Sequence, residues 1–207
     1  MPRVKQRTDA LRERGLASAM AVLDEEGVAG LTTRAVAHRA NASVPAIYEV
    51  FGDKAGVVRE VFFEGFRMLG DDLSTLSPAA DPLEALRRLA DAFREFILAN
   101  PVLAEIMFSR PFADFDPSKD EARAGAKVRK IFVQYVRDAV DAELIAGDPT
   151  DIALVFFTLV HGLAAAESAQ RLGGSKQSVN RRWRLGLTAL IDGLRPAPTG
   201  RPRPAKR

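Results

Sequence analysis

The chain has 207 residues, of which 47% are hydrophobic, so it can bury one sizeable core or a small domain joined to a medium one. It contains no cysteine, which excludes disulfides, thiolate metal sites and a cysteine nucleophile and favours a reducing cytoplasm. The charged N-terminal segment lacks the apolar run of a signal peptide, and no later segment is predicted to span a membrane. We expect a cytoplasmic protein without membrane association.

The net charge of +3 neither requires nor excludes a nucleic-acid partner. Residues 1–54 contain eight basic and seven acidic side chains, whereas residues 195–207 contain five basic side chains and no acidic one. Evidence for a nucleic-acid partner must therefore come from particular residues.

Apolar residues recur at helical spacing along most of the chain, without sustained alternation, which predicts an all-α fold. The first helix is expected over about residues 8–26, with Gly27 and Gly30 ending it. Its apolar face contains Leu16, Ala19, Met20 and Leu23.

Two short helices follow the first one. Thr32 is a good N-cap for a helix that turns Val36, Ala37 and Ala40 inward, and Ser43 caps a helix over about residues 44–50. Asn41 lies between the two, where a left-handed residue is needed, and Asn tolerates positive φ best after Gly. Asp53 is the expected cap of a longer helix, which leads with Val57, Val58, Val61, Phe62 and Phe66 into the rest of the chain.

Further helices are predicted at about 82–99, 101–109, 118–146, 149–172 and 176–194, separated by proline and glycine pairs. Residues 196–207 include four prolines and no large apolar side chain, so we expect a basic, disordered tail.

Two short helices joined by a tight turn and packed on a longer helix form the unit that places one helix in the DNA major groove. A helical hairpin inside any α-bundle has the same spacing. From spacing alone, both interpretations stay open.

The segment Leu31–Lys54 closely resembles the signature of the tetracycline-repressor (TetR) family. In register with that signature are Val36-Ala37, Ala40, Ser43, Ile47-Tyr48, Phe51 and Lys54. Three positions depart from it: Asn41 replaces the turn glycine, Pro45 a glycine of the recognition helix, and Val50 a histidine. The third departure is expected to remove a polar group that could contact a phosphate.

The resemblance implies a DNA-binding face composed of Thr33, Arg34, Ser43, Val44, Pro45, Ala46, Tyr48 and Lys54. Val44 and Pro45 suit thymine methyl groups, whereas Tyr48 and Lys54 are expected at phosphates. Thr33 is implied at a phosphate, and Arg34 at a phosphate or a guanine. Tyr48 could instead be a core aromatic with its hydroxyl at the surface, and Arg34 an ordinary solvated residue. The basic Arg3, Lys5 and Arg7 could reach a groove or simply be solvated.

The central helices contain many aromatic and methionine side chains, among them Phe62, Phe63, Phe112 and Phe115. Such a stripe is usually core, but it also lines apolar pockets, and the family senses small molecules in this region. The predicted ligand site comprises Phe66, Phe93, Phe96, Met107, Phe108, Phe132, Tyr135 and His161. His161 could equally be a hydrogen-bonded core histidine. No metal or cofactor site is predicted, because metal-ligand spacings are missing.

The last two predicted helices combine apolar faces with small residues, which in the family form a four-helix bundle between two subunits. The predicted dimer interface comprises Leu163, Trp183, Leu187, Leu190 and Ile191. Trp183 could instead pack within its own subunit.

The sequence thus predicts a helix-turn-helix domain over residues 1–54 and a ligand-sensing and dimerisation domain over residues 55–195. The expected function is a homodimeric repressor that a small apolar ligand releases from a palindromic double-stranded DNA operator. An enzyme is the first rival, disfavoured by the lack of a nucleophile–base pair or a phosphate loop. A helical binding protein with a vestigial helix-turn-helix is the second.

Overall fold

The structure is a computed structural model that describes residues 2–77, 79–108, 119, 123 and 125–196. Within those residues all regular secondary structure is helical, which confirms the predicted all-α fold. The helices are α1 (Pro2–Gly30), α2 (Thr33–Arg39), α3 (Val44–Phe51), α4 (Lys54–Ser74), α5 (Pro82–Ala99), α6 (Pro101–Phe108), α7 (Ala126–Asp141), α8 (Pro149–Ser168) and α9 (Lys176–Gly193). The side chains of Arg3, Lys5 and Arg7, the rings of Phe112 and Phe115, and the tail after Pro196 lie outside the described residues.

Helix α1 is longer than predicted, because it begins at Pro2 and extends to Gly30. Gly27, at φ 70° and ψ −173°, interrupts the helical backbone close to where the sequence places its end. A residue without a Cβ adopts this conformation at little steric cost.

Helices α7 and α8 are shorter than predicted, since they end at Asp141 and Ser168 instead of residues 146 and 172. Each is followed by a non-glycine residue in the left-handed region, Glu143 at φ 58° and Gln170 at φ 56°. The backbone N–H of Leu144 donates to the carbonyl of Ala139 (3.0 Å), and that of Arg171 to Ala166 (2.7 Å), so each end is closed by reversed hydrogen bonds. The predicted ends were placed too late because the next glycines are Gly147 and Gly173.

The chain divides into two compact units. The first comprises Met1–Asp72 and Phe96–Val128, and the second comprises Leu73–Glu95 and Arg129–Arg207. Their boundaries fall inside α4, α5 and α7, so this division differs from a cut after residue 54. The domain boundaries inferred from the sequence stay predictions.

In the first unit, α1, α2 and α3 share an apolar core. The predicted inward residues Val36, Ala37, Ala40, Ile47 and Phe51 are all buried. Val57, Val58 and Val61 continue this buried face along α4. Because a fully buried aliphatic side chain contributes about 1.5–3 kcal/mol, this core fixes the orientation of the two short helices.

In the second unit, α5, α7, α8 and α9 each contribute buried apolar side chains. The largest fully buried side chains of this unit are Leu73, Leu86, Leu89, Phe93, Phe132, Ile145 and Phe156. Helix α9 packs on α8, since a Cβ at Gly186 would lie 3.4 Å from the side chain of Leu163.

Candidate DNA-binding and sensing sites

The turn between α2 and α3 has the geometry that its sequence predicts. Asn41 adopts φ 48°, and the N–H of Ala42 donates to the carbonyl of Ala37 (2.9 Å), which closes the end of α2. Asn therefore replaces the family's turn glycine without changing the turn.

Side-chain caps fix the start of each of the three helices around this turn. The Thr32 hydroxyl accepts from the N–H of Ala35 (3.1 Å), and the Ser43 hydroxyl accepts from the N–H of Ala46 (3.3 Å). At α4, the Asp53 carboxylate accepts from the N–H of Gly56 (2.9 Å). All three predicted caps are confirmed.

Helix α3 buries one face and presents the other to solvent. Ile47, Val50 and Phe51 are buried, whereas Tyr48 is 50% exposed. Pro45 is exposed, and Val44 and Ala46 are partly exposed. The alternative that Tyr48 is a core aromatic does not fit this exposure.

The outward face of α3 continues onto the beginning of α2. The Thr33 hydroxyl lies 3.5 Å from the Tyr48 hydroxyl, at the limit of a hydrogen bond, so two neutral hydroxyl groups from different helices lie side by side. Arg34, Ser43 and Lys54 are also exposed. Every member of the predicted DNA-binding set thus retains exposed surface.

Val50, which stands where the family signature has a histidine, lies in the core. Its side chain is only 8% exposed, so it adds apolar contact beneath the recognition helix. The loss of a phosphate contact at this position stays a prediction.

Arg39 is held against α1 by a two-point ion pair that the sequence does not reveal. Its guanidinium donates to both carboxylate oxygens of Glu25, one of them at 2.6 Å. This hydrogen bonding lowers the pKa of Glu25 and raises that of Arg39. Arg39 also lines the groove between α1 and α2, together with Arg34 and His38.

Half of the predicted ligand-site residues lie in the first unit: Phe66, Phe96, Met107 and Phe108. The rings of Phe66 and Phe108 lie 5.5 Å apart at a steep angle, and Phe62 lies 4.9 Å from Phe66. Gly65 allows α6 to approach α4, because a Cβ there would lie 2.6 Å from the sulfur of Met107. We term Phe62, Phe66, Met107 and Phe108, which lie on α4 and α6, the first cluster.

The other half, Phe93, Phe132, Tyr135 and His161, lies in the second unit. Phe157, which sequence reasoning did not assign to the site, joins them: its ring is 5.5 Å from Phe93 and 5.2 Å from Phe132. The imidazole of His161 stacks on Phe157 at 6.2 Å, nearly parallel. We term Phe93, Phe132, Phe157 and His161 the second cluster.

Burial shifts the two titratable members of this predicted set. His161 is half-buried, and loss of solvent lowers its pKa below the usual 6.5. Burial likewise raises the pKa of Tyr135, with a smaller contribution from Asp138. Both groups are therefore neutral near pH 7 and suit an apolar environment.

The predicted interface residues do not share one exposed face. Trp183, Leu187 and Ile191 are buried within their own chain, whereas Leu163 and Leu190 are partly exposed. The placement of these three buried side chains does not fit the role predicted for them. The large exposed apolar side chains of α8 and α9 are instead Leu154, Val155 and Leu185.

Trp183 is held by a polar network inside the second unit. The Arg94 guanidinium donates to both oxygens of the Glu167 carboxylate (2.7 and 2.6 Å) and to the Asn180 side-chain oxygen (2.9 Å). Trp183 donates its indole N–H to the same carboxylate (2.7 Å), and the Arg94 guanidinium lies 5.0 Å from its ring. The alternative that Trp183 packs within its own subunit agrees with these contacts.

Helix α8 is long and apolar enough to cross a membrane by length and composition, with a mean hydropathy of 1.5. It contains Asp151 and Glu167, so it is not the run of about 20 uncharged apolar residues that the sequence was expected to lack. Only 28% of its most apolar 18-residue segment is buried, which leaves apolar surface without a partner in the chain.

Among the residues that the structure describes, no group of three or more His, Asp or Glu side chains could hold a metal ion.

Two segments of the chain match known protein families. Residues 16–61 match the family described as bacterial regulatory proteins, tetR family, and residues 86–190 match the tetracyclin repressor-like, C-terminal domain. The chain belongs to the TetR family. It is thus a transcriptional regulator of that family, and its helix-turn-helix is the family's DNA-binding element.

The individual relatives described below are at most 28% identical to this chain. The HTH-type transcriptional repressor KstR of Rhodococcus jostii (strain RHA1) is 24% identical over 133 residues, which is 64% of this chain and 62% of the relative. Among solved structures, a Rhodococcus sp. RHA1 protein of unknown function is 28% identical, with a TM-score of 0.76 over 89% of this chain and 95% of that one.

A TetR variant from Acinetobacter baumannii AYE, solved in complex with minocycline, is 20% identical, with a TM-score of 0.60 over 86% of this chain and 93% of that one. A possible TetR family regulator from Streptomyces coelicolor A3(2) is 19% identical, with a TM-score of 0.64 over 88% and 98% of the two chains. Identities this low show a shared fold alone.

Proposed function

We propose that this protein is a cytoplasmic, homodimeric repressor that binds a palindromic operator and is released from it by a small apolar ligand. The observation that carries the proposal is the exposed face of α3, where Tyr48 is half-exposed above a fully buried Ile47. At this position Tyr48 presents both a ring and a hydroxyl to a partner outside the chain.

The residues of this face form two groups: some are placed to contact phosphates and position the helix on DNA, and others are placed to contact bases. Tyr48 and Thr33 offer hydroxyls to phosphate oxygens, and Lys54 adds a cation at the N-terminus of α4, where free N–H groups also attract anions. Val44 and Pro45 offer apolar contact to thymine methyl groups, and Arg34 can reach a phosphate or a guanine.

A second copy of the chain is the partner that best accounts for the apolar surface of α8. Leu154 and Val155 on α8 and Leu185 on α9 are each more than half exposed. At Gly162 a Cβ would meet no atom within 4 Å, so small residues leave room for another helix. A twofold dimer would present two recognition helices to two half-sites, which requires a palindromic operator.

The two aromatic clusters support the proposal of a small apolar ligand. Each combines several rings with a flexible or polar side chain, Met107 in the first and His161 in the second. Pockets for small apolar molecules combine many apolar groups with a few polar ones in this way. These groups suit a mainly apolar molecule.

Selection of bound sequences from random double-stranded DNA tests the proposal. We expect enrichment of one palindrome, and the Tyr48→Ala variant should recover it weakly or not at all. Leu98→Ala, a truncation of an exposed leucine on α5, is the matched control and should recover the same palindrome. Enrichment of no sequence by the wild-type protein would contradict the proposal, and enrichment of a single asymmetric site would contradict twofold binding.

A further inference from the structure

Arg12 of α1 makes three contacts around the C-terminal end of the recognition helix. Its guanidinium donates to the carbonyl oxygen of Val50 (3.0 Å), forms an ion pair with Glu60 of α4, and lies 5.8 Å from the centre of the Phe51 ring. One side chain thus connects α1 with the last turn of α3 and with α4.

The backbone around Arg12 is fitted to this end of α3. One turn further along α1, a Cβ at Gly15 would lie 2.5 Å from the Phe51 ring. On the other side, a Cβ at Gly56 would lie 1.7 Å from the carbonyl oxygen of Phe51. Both α1 and the first turn of α4 therefore approach the end of α3 as closely as the backbone permits.

The contact with Val50 has a clear electrostatic basis. The last four carbonyls of a helix lack intrahelical partners, and a cation near them interacts favourably with the negative end of the helix dipole. Arg12 satisfies one of these carbonyls while Glu60 holds the guanidinium in place. A lysine has one donor group and cannot reach both partners with the same planar geometry.

We infer that Arg12 is a positioning residue, which together with Glu60 holds the recognition helix in its DNA-binding orientation without contacting DNA. The inference rests on the proposed function, because the orientation matters only if α3 reads a groove. It also assigns a role to Glu60, although the negative charge of this residue would by itself repel the phosphates of DNA.

The direction in which Glu60→Gln changes DNA affinity tests this role. Glu60→Gln removes a negative charge, so charge alone predicts tighter binding to DNA at all sequences. If Glu60 holds Arg12, the same variant must bind the selected palindrome more weakly. Glu13→Gln removes an exposed negative charge one residue from Arg12 on α1 and is the matched control for the charge effect.

Affinity for the selected palindrome should be measured over a range of salt concentrations. We expect Arg12→Ala and Glu60→Gln each to weaken binding about tenfold, the effect of losing one charge-assisted hydrogen bond. The log–log salt slope should stay at the wild-type value, because no phosphate contact is lost. The double variant should bind as weakly as either single variant, since both changes remove the same Arg12–Glu60 interaction.

Two further variants complete the set. Arg12→Lys should recover part of the lost affinity, and Arg14→Ala, which removes an exposed cation two residues away, should not reproduce the effect of Arg12→Ala. Without DNA, amide hydrogen exchange in the segment 48–53 should be faster in Arg12→Ala and Glu60→Gln than in the wild type.

The outcomes separate the inference from the proposed function. Glu60→Gln binding as tightly as the wild type or more tightly, or a smaller salt slope in Arg12→Ala with full rescue by lysine, would overturn the inference and identify Arg12 as a phosphate contact. Unchanged hydrogen exchange in both variants would also overturn it. A wild-type protein that selects no sequence would instead refute the proposed function, while the exchange experiment would still test the positioning of α3.

Discussion

Individual side chains in the recognition region divide by chemistry, and each class predicts a different binding phenotype. Lys54 has a charge, Tyr48 a neutral hydroxyl, and Val44 only apolar surface. All three retain exposed surface, while Ile47 and Val50 beneath them are buried. Mutations at the outer face can therefore be interpreted without a large loss of fold stability.

Lys54→Ala should weaken binding to every DNA sequence and reduce the salt slope by about one unit per phosphate contact in each subunit. Tyr48→Phe should weaken binding with little change in slope, because a neutral hydroxyl displaces no counterion. Titrations at several salt concentrations measure both effects. Lys130→Ala, which removes an exposed lysine of α7, is the control.

Val44→Ala should change base preference at a cost of about 1–3 kcal/mol per altered base pair and leave nonspecific affinity nearly intact. Competition between palindrome variants measures this preference. If Lys54→Ala altered base preference and Val44→Ala altered only the salt slope, α3 would not lie in the groove as we propose.

His161 is expected to make stability depend on pH. Because burial lowers its folded-state pKa below 6.5, the unfolded chain takes up the proton first as the pH falls. Stability is then fully present above about pH 6.5 and decreases as the pH falls from there towards the lower folded-state pKa. In denaturant unfolding, His161→Gln should remove this decrease, whereas His38→Gln, a change at the exposed histidine, should leave it. An identical pH profile for wild type and His161→Gln would contradict the prediction.

Residues whose partners are close in sequence could be predicted, and those with distant partners could not. Thr32, Ser43 and Asp53 each cap an N–H three residues ahead, so local spacing reveals them. Arg12 reaches partners 38 and 48 residues away, and nothing in the spacing of α1 indicates them.

At the scale of whole helices, too, features set by local sequence could be predicted and features set by distant contacts could not. The end of α2 was predicted because Asn favours positive φ, whereas the left-handed residues that follow α7 and α8 are Glu143 and Gln170, which have no such preference. On α9, apolar periodicity identifies a buried face but cannot say whether the same chain or a second copy covers it. Trp183 is covered by its own chain, through Arg94 and Glu167.

Leu185→Glu should shift the protein from dimer to monomer while preserving its helical content. Leu185 is 68% exposed, so a charge is tolerated in the monomer, but at a helix–helix interface two like charges would be buried without partners. Sedimentation measures the oligomeric state. Leu98→Glu makes the same change at an exposed leucine of α5 and should remain a dimer, and a stable Leu185→Glu dimer would place the interface elsewhere.

At the scale of the whole molecule, all-helical patterning and one motif of 24 residues were sufficient to predict fold and family. The residues of the predicted ligand site were expected as one set, but they are divided between the two compact units. Aromatic composition marks such residues, yet their grouping depends on how α4 to α8 pack, which is a property of long-range contacts. Phe157 was missed for that reason, because its sequence neighbours indicate an interface helix.

Release from the operator requires that the ligand bind better to the arrangement of the protein that cannot bind DNA. Linkage then makes the effect reciprocal: if ligand weakens operator binding by some factor, operator must weaken ligand binding by the same factor. A ligand can be found by its effect on thermal stability, and its affinity measured with and without the selected palindrome.

We expect both factors to agree, at about 5–150-fold for a typical allosteric coupling. Phe157→Leu, which removes the central ring of the second cluster, should lower ligand affinity and leave the affinity of the free protein for DNA unchanged, and Phe66→Leu tests the first cluster in the same way. An apolar molecule that binds either cluster while operator affinity stays constant has no differential affinity for the two arrangements. That result would refute ligand-driven release, although the protein would still be a DNA-binding regulator.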